Sequence, residues 1–94
     1  MIRSFRNKQT EDVFNRRAPR GLQSDVIICA NSKLRFINIA TVLADLRVPP
    51  SNRLEKLSGD RAGQWSVRIN DQWRICFEWR DDNNAYEVEI CEYQ

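Results

Sequence analysis

Leu57-Ser58-Gly59-Asp60-Arg61-Ala62-Gly63-Gln64-Trp65-Ser66-Val67-Arg68-Ile69-Asn70-Asp71-Gln72-Trp73-Arg74-Ile75-Cys76-Phe77 decides how this chain folds. It opens on a loop with Gly59 and Gly63 and then alternates. Trp65, Val67 and Ile69 share one parity, with Ser66 and Arg68 between them. After Asn70-Asp71-Gln72 the alternation resumes with Trp73, Ile75, Phe77 and Trp79 apolar and Arg74, Cys76, Glu78 and Arg80 between. Two period-two runs separated by turn-forming residues predict a half-buried antiparallel hairpin. Residues facing each other must lie on one side of the sheet. A two-residue turn would set Arg68 against Trp73 and mix the faces. A three-residue loop, 70–72, sets Ile69 against Trp73, Val67 against Ile75 and Trp65 against Phe77, so that register is expected. Asn or Asp can take the left-handed conformation that such a loop commonly uses.

The same register puts Arg68 directly opposite Arg74 on the polar side. Facing like charges destabilise a sheet. Two readings stay open: a solvated pair with acidic neighbours, or a pair held for an anion such as phosphate, which guanidinium groups grip in a bidentate manner.

Working toward the C-terminus, Asp81-Asp82-Asn83-Asn84 predicts a second hairpin. A four-residue loop pairs Trp79 with Tyr86, Phe77 with Val88 and Ile75 with Ile90. On the polar side Glu78 meets Glu87, Cys76 meets Glu89 and Arg74 meets Cys91. Continuing the strand brings Tyr93 near Arg74, with Glu92 and Gln94 beside it.

Toward the N-terminus, Arg53 to Leu57 reads as a short strand anchored by Leu54. Pro49-Pro50 closes a long helix expected over 22–46. Its buried stripe is Val26, Ala30, Leu34, Ile37, Thr41 and Ala44. Ile27, Ile28, Phe36, Ile39, Val42 and Leu43 make it apolar on more than one face, so it is expected to pack on the sheet and on another helix or a partner. Ala18-Pro19-Arg20-Gly21 ends a short first helix that Asn7 caps and that carries Val13 and Phe14. Met1 to Arg6 reads as a strand. The order is β-α-α-β-β-β-β: an α+β fold, a small mainly antiparallel sheet packed by two N-terminal helices, in one domain spanning 1–94.

The composition narrows the chemistry. A chain of 94 residues can bury one modest core. Of 15 basic residues 12 are arginine, which suits phosphate and base recognition, although GC-rich coding gives the same excess. There is no histidine, which excludes Ser-His-Asp and Cys-His catalysis. Cys29, Cys76 and Cys91 are scattered and make no zinc pattern, so no metal is expected. They read as packing residues kept as thiols in a reducing cytoplasm. No apolar run is long enough to span a bilayer and no signal peptide is recognisable, so a cytoplasmic protein without a membrane partner is expected. Trp65, Trp73 and Trp79 share the apolar parity and read as core.

Leu57-x-Gly59-Asp60-Arg61-x-Gly63-x-Trp65-Ser66-Val67-Arg68, then Trp73-Arg74-Ile75-x-Phe77 and a final acidic-Tyr-polar tripeptide resemble the HigB branch of the RelE/ParE toxin superfamily. Met1-Ile2-Arg3-Ser4-Phe5 and Asp45-Leu46-Arg47-Val48-Pro49-Pro50-Ser51-Asn52-Arg53-Leu54 share the likeness, so it covers essentially the whole chain. The resemblance implies the toxin half of a type II toxin–antitoxin pair, an mRNA endonuclease that cuts in the ribosomal A site without a cofactor. Its implied partners are the 70S ribosome and mRNA, a HigA-like helix-turn-helix antitoxin, and operator DNA only through that antitoxin.

The resemblance also implies roles. Arg74 stabilises the negative charge that develops when a 2′-hydroxyl attacks the phosphate. Tyr93 stacks on a base or assists proton transfer. Glu92 is a base or an orienting group. Arg53, Lys56, Arg61 and Arg68 are candidate RNA-binding residues, with a solvated sheet edge as the plain alternative. Two departures stand out. Many relatives carry lysine where this chain has Ser58, and many end in Tyr-His where it has Gln94. An amide does not titrate near neutral pH, so the loss predicts a slower nuclease; an acid–base group contributes about 10²–10⁴-fold. Two other functions stay open: inhibition of DNA gyrase, as in the ParE branch, and a catalytically dead module that only binds its antitoxin.

Overall fold

The computed structural model describes residues 1–93. Two helices, α1 (Lys8–Phe14) and α2 (Ser24–Ile39), precede four strands: β1 (Glu55–Lys56), β2 (Gln64–Arg68), β3 (Trp73–Trp79) and β4 (Ala85–Glu92). The strands form one antiparallel sheet in the order β1-β2-β3-β4. Both helices lie against the same side of it, α1 on β4 and α2 on β3 and β4. The other side carries the polar parity.

The core is the apolar parity of the strands against the buried stripe of α2. Val26, Ala30, Leu34 and Ile37 meet Val67, Ile75, Phe77, Val88 and Ile90. Trp65, Trp73 and Trp79 pack on its margin, as their parity predicts. Among the described residues, no helix is long and apolar enough to cross a membrane.

The central hairpin takes the expected register, with Trp65 facing Phe77, Val67 facing Ile75 and Arg68 facing Arg74. Its loop, however, needs no left-handed residue. The Asn70 side chain does the work, its Oδ1 accepting from the backbone N–H of Gln72 (2.8 Å) and Trp73 (2.7 Å).

The second hairpin departs from the expected pairing. Ile75 faces Ile90, Cys76 faces Glu89 and Arg74 faces Cys91, but Trp79 faces Ala85 and Glu78 faces Tyr86. A β-bulge in β4 opposite Phe77 absorbs the extra residue, and Glu87 sits there with φ of 53°. Ala85 therefore points into the core, fully buried, while Tyr86 turns outward. The Tyr86 hydroxyl hydrogen-bonds Asp82, and the Arg80 guanidinium lies 3.8 Å from the Tyr86 ring centre.

That bulge also explains why Met1 to Arg6 is not a continuous strand. The segment runs parallel to β4 and touches it at two bridges, Ile2 with Ala85 and Phe5 with Val88. Between them the free N–H of Glu87 is taken by the Ser4 hydroxyl at 2.8 Å. A side chain replaces the ladder where the partner strand bulges.

The long helix is shorter than its periodicity suggested, and Thr41 and Ala44 are exposed instead of extending the stripe. It stops at Ile39, and Ala40 is already extended. The Asp45 carboxylate accepts from the backbone N–H groups of Thr41 and Val42 and from the Thr41 hydroxyl. Those bonds hold the Asp45 carboxyl below its ordinary range. They start a 3₁₀ turn, Leu43–Arg47, that sends Leu46 into the core. α1 covers part of α2, yet Ile28, Phe36 and Ile39 stay exposed.

Asn52 sets the approach to the sheet. It is buried, its Nδ2 donates to the carbonyls of Leu46 and Val48 (3.3 Å each), and its Oδ1 accepts from Lys33. Arg53 follows in a left-handed conformation, φ 45°, so the expected strand from Arg53 to Leu57 shrinks to Glu55–Lys56.

Asn7 caps α1 as expected. Its Oδ1 accepts from the Thr10 N–H at 2.9 Å and the Thr10 hydroxyl at 2.7 Å. The buried Thr10 oxygen in turn accepts the N–H of Ile90 at 2.9 Å, which ties the helix to β4. Asn7→Ala is expected to cost about 1–2 kcal/mol, through the lost cap and the unpaired Thr10 hydroxyl. A urea unfolding curve with a lower midpoint and an unchanged slope is the expected record.

Candidate active site

The polar parity lines up in rows across the sheet. One row runs Glu55, Ser66, Cys76, Glu89; the next runs Arg68, Arg74, Cys91. Tyr93 continues the parity of Cys91 and is fixed by its N–H donating to the Gln72 carbonyl at 2.9 Å. The Arg74 guanidinium carbon lies 5.1 Å from the Tyr93 ring centre, a cation–π pair. Strand pairing, not sequence proximity, brings these two residues together.

Beside them lies a cleft of ≈ 630 Å³. The loop from β1 to β2 forms one wall and the polar side of the sheet the floor. Glu55, Lys56, Asp60, Arg61 and Arg74 line it, together with Arg6 from the N-terminal segment. Gly63, with φ of 90°, supplies the turn that lets the loop re-enter the sheet at β2.

The cations that line the cleft are ordered by partners. Glu89, largely buried, holds Arg61 at 2.7 Å and Arg6 at 3.6 Å. Arg61 also donates to Gln64 Oε1 at 3.0 Å. These bonds fix the guanidinium of Arg61 and neutralise part of its charge. Arg74 is different: its Nε is buried and has no hydrogen-bond partner among the described residues. The Ser66 hydroxyl, equally buried, also lacks a partner there. A buried donor without an acceptor costs roughly 1–3 kcal/mol, so an anion bound at Arg74 gains by satisfying it.

Tyr93 keeps its proton more firmly than a free phenol. Burial and the nearby Glu55 carboxylate raise its pKa, against the opposing pull of Arg68, Arg74 and Arg53. It is therefore a hydrogen-bond donor at neutral pH.

The residues singled out from sequence fall into three groups. Arg74, Tyr93, Lys56 and Arg61 are brought to the cleft or its edge. Arg68 lies on the same face but is ion-paired to the exposed Asp71 of the hairpin loop, and Arg53 is exposed at the approach to β1. Glu92 is not brought in: it faces Trp73, on the helix-side parity, and accepts a hydrogen bond of 3.4 Å from Gln72 Nε2 at the exposed sheet end. Gln94 lies outside the described residues. Sequence reasoning singled out neither Glu55, Glu89 nor Arg6 for the site. The signal for Glu89 was present, since the register put it opposite Cys76; β1 is too short for alternation to reveal Glu55.

Among the described residues, no cluster of three or more His, Cys, Asp or Glu side chains is placed to hold a metal ion.

Comparison with known proteins adds the following. A family model described as the RelE-like toxin HigB of type II toxin–antitoxin systems matches residues 3–91. Toxin HigB-1 of Vibrio cholerae serotype O1 is 34% identical over 82 residues, covering 86% of each chain. Endoribonuclease HigB of Proteus vulgaris is 32% identical over 93 residues, 99% of each chain. A chain of the YoeB–YefM complex from Staphylococcus aureus superposes with a TM-score of 0.61, over 100% of this chain and 98% of that one. Its identity is 21%, a likeness of fold.

Proposed function

The chain belongs to the HigB-like family of RelE-like toxins from type II toxin–antitoxin systems, and from that premise we propose that it is an endoribonuclease cutting mRNA in the ribosomal A site. The observation that carries this reading is Arg74: a half-buried side chain with a buried, unpartnered Nε, its guanidinium over the ring of Tyr93, at the edge of an arginine-bearing cleft. The relative from Proteus vulgaris, whose name is Endoribonuclease HigB, supports the activity.

The reaction asks for three things: loss of a proton from the attacking 2′-hydroxyl, neutralisation of charge on the phosphate, and a proton for the departing 5′-oxygen. Arg74 supplies the second, with Arg68 beside it once Asp71 is displaced from that arginine. Tyr93, which holds its proton at neutral pH, stacks on a base and donates a hydrogen bond to the reacting phosphate. Glu55 is the carboxylate of the cleft that lies in the field of Tyr93, and we assign it the base. Glu92 keeps an orienting role at the end of β4, through Gln72. Lys56, Arg61 and Arg53 hold the RNA backbone.

The Gln94 side chain can hydrogen-bond but cannot shuttle a proton, which makes the chemistry slow. The ribosome contributes the aligned message. The partner that restrains the toxin is a HigA-like helix-turn-helix antitoxin, through which the pair reaches operator DNA. The YoeB–YefM complex is a neighbouring fold solved with its partner.

Expression of the chain without an antitoxin is expected to arrest growth and to leave new RNA 5′ ends within coding regions. Attack by the 2′-hydroxyl leaves a 5′-hydroxyl on one fragment and a cyclic phosphate on the other, so ligation-based end mapping distinguishes these ends from other nuclease products. Growth arrest with intact messages and inhibited gyrase supercoiling would replace this reading with the gyrase one.

A further inference from the structure

We propose that Cys76 and Cys91 form an oxidisable dithiol, which a low-molecular-weight disulfide converts to an intramolecular disulfide across β3 and β4.

The register places the two thiols diagonally on the cleft side of the sheet, Cys76 facing Glu89 and Cys91 facing Arg74. Their sulfurs are 2.7 Å apart. A disulfide bond is about 2.05 Å, so bond formation asks for a movement of well under 1 Å. Access is one-sided, because Cys76 is fully buried and Cys91 half-buried. Reagents therefore meet Cys91 first. Cys29 is separate: it sits on α2, and its thiol contacts the Ile69 carbonyl at 3.5 Å.

The electrostatics give the two sulfurs different roles. The hydrogen bond shared with Cys76 lowers the Cys91 thiol to a pKa of about 7, against burial and with help from Arg61 and Arg74. The same hydrogen bond, with burial, pushes Cys76 up. Cys91 is thus the attacking thiolate and Cys76 the resolving thiol. The Cys91 thiolate attacks one sulfur of R–S–S–R, that S–S bond breaks, and RS⁻ leaves and takes a proton from water. Cys76 then gives up its proton, its sulfur attacks Cys91 Sγ in the mixed disulfide, and the second RS⁻ departs with that proton. Two protein thiols are oxidised and one small disulfide is reduced to two thiols. In a reducing compartment such a pair works as a transient sensor, not a structural bond.

The test uses oxidised glutathione on the folded wild-type chain, followed by alkylation of remaining thiols, trypsin digestion and mass spectrometry. Cleavage after Arg80 separates peptide 75–80, with Cys76, from peptide 81–94, with Cys91. The expected result is the two peptides linked, Cys29 alkylated, and reversal by dithiothreitol. Cys76→Ala is expected to stop at a mixed disulfide on Cys91. It should also slow alkylation of Cys91 at pH 7 about tenfold, since the hydrogen bond that stabilises the thiolate is gone. In the wild type, alkylation of Cys91 should be half-maximal near pH 7. The proposal is overturned if both cysteines are still alkylated after oxidant, or if the only linkage joins separate molecules.

Discussion

Arg74→Ala is expected to slow message cleavage about 10²–10³-fold, the usual cost of removing one group that stabilises developing charge. The residue has little structural work to set against that loss. Its Nε is unpartnered among the described residues, and its guanidinium stacks on the ring of Tyr93 near the end of the described chain. The β3 ladder is held by backbone bonds that alanine keeps. Removing a charge that faces Arg68 also relieves repulsion across β2 and β3. The unfolding midpoint should therefore change little while the rate collapses, and single-turnover cleavage set against a urea curve separates the two. Arg74→Lys should recover only part of the rate, because an ammonium keeps the charge without the planar bidentate fork.

Gln94→His is expected to act in the opposite direction and by a similar or greater amount, a gain of about 10²–10⁴-fold. The chain has no histidine, and the phenol of Tyr93 holds its proton above its ordinary value. A phenol held in that way does not readily give up and regain its proton near pH 7. An imidazole at this position restores that capacity. Its signature is in the pH profile as much as in the rate: a new inflection near pH 6.5, the ordinary value for a histidine. The unsubstituted protein should lack that inflection.

Much of the fold follows from parity. The pairing of β2 with β3 could be written down because a wrong turn length would have set Arg68 against Trp73. The opposition of Arg68 and Arg74, and the approach of Tyr93 to Arg74, come from the same alternation. What parity cannot reveal is a bulge. One extra residue at Glu87 shifts every pair beyond it, so Ala85 takes the inward place that alternation assigned to Tyr86. The end of α2 was hidden for another reason: Thr41, Val42 and Leu43 continue the apolar pattern, while the stop signal is a side-chain carboxylate, Asp45, reaching back to free N–H groups.

In the site the legible part was the arginines and the tyrosine. Neighbours in a strand point to opposite sides, so Glu92 and Tyr93 do not share a face even though they are adjacent in the chain. Glu55, which lines the cleft, and Glu89, which pairs with two of its arginines, come from strands distant in sequence. Glu89 matters by fixing Arg61 and Arg6, a pairing formed only by the approach of the loop and the N-terminal segment.

The sheet face carrying Arg74 and Tyr93 is the part of the molecule proposed to cut message on the ribosome. The most direct test is a purified ribosome complex on a defined mRNA with a vacant A site, incubated with the protein and mapped at its 5′ ends. The expected result is a cut within the A-site codon that requires ribosomes, is lost with Arg74→Ala and strengthens with Gln94→His. Intact message with both the unsubstituted protein and Gln94→His would contradict it.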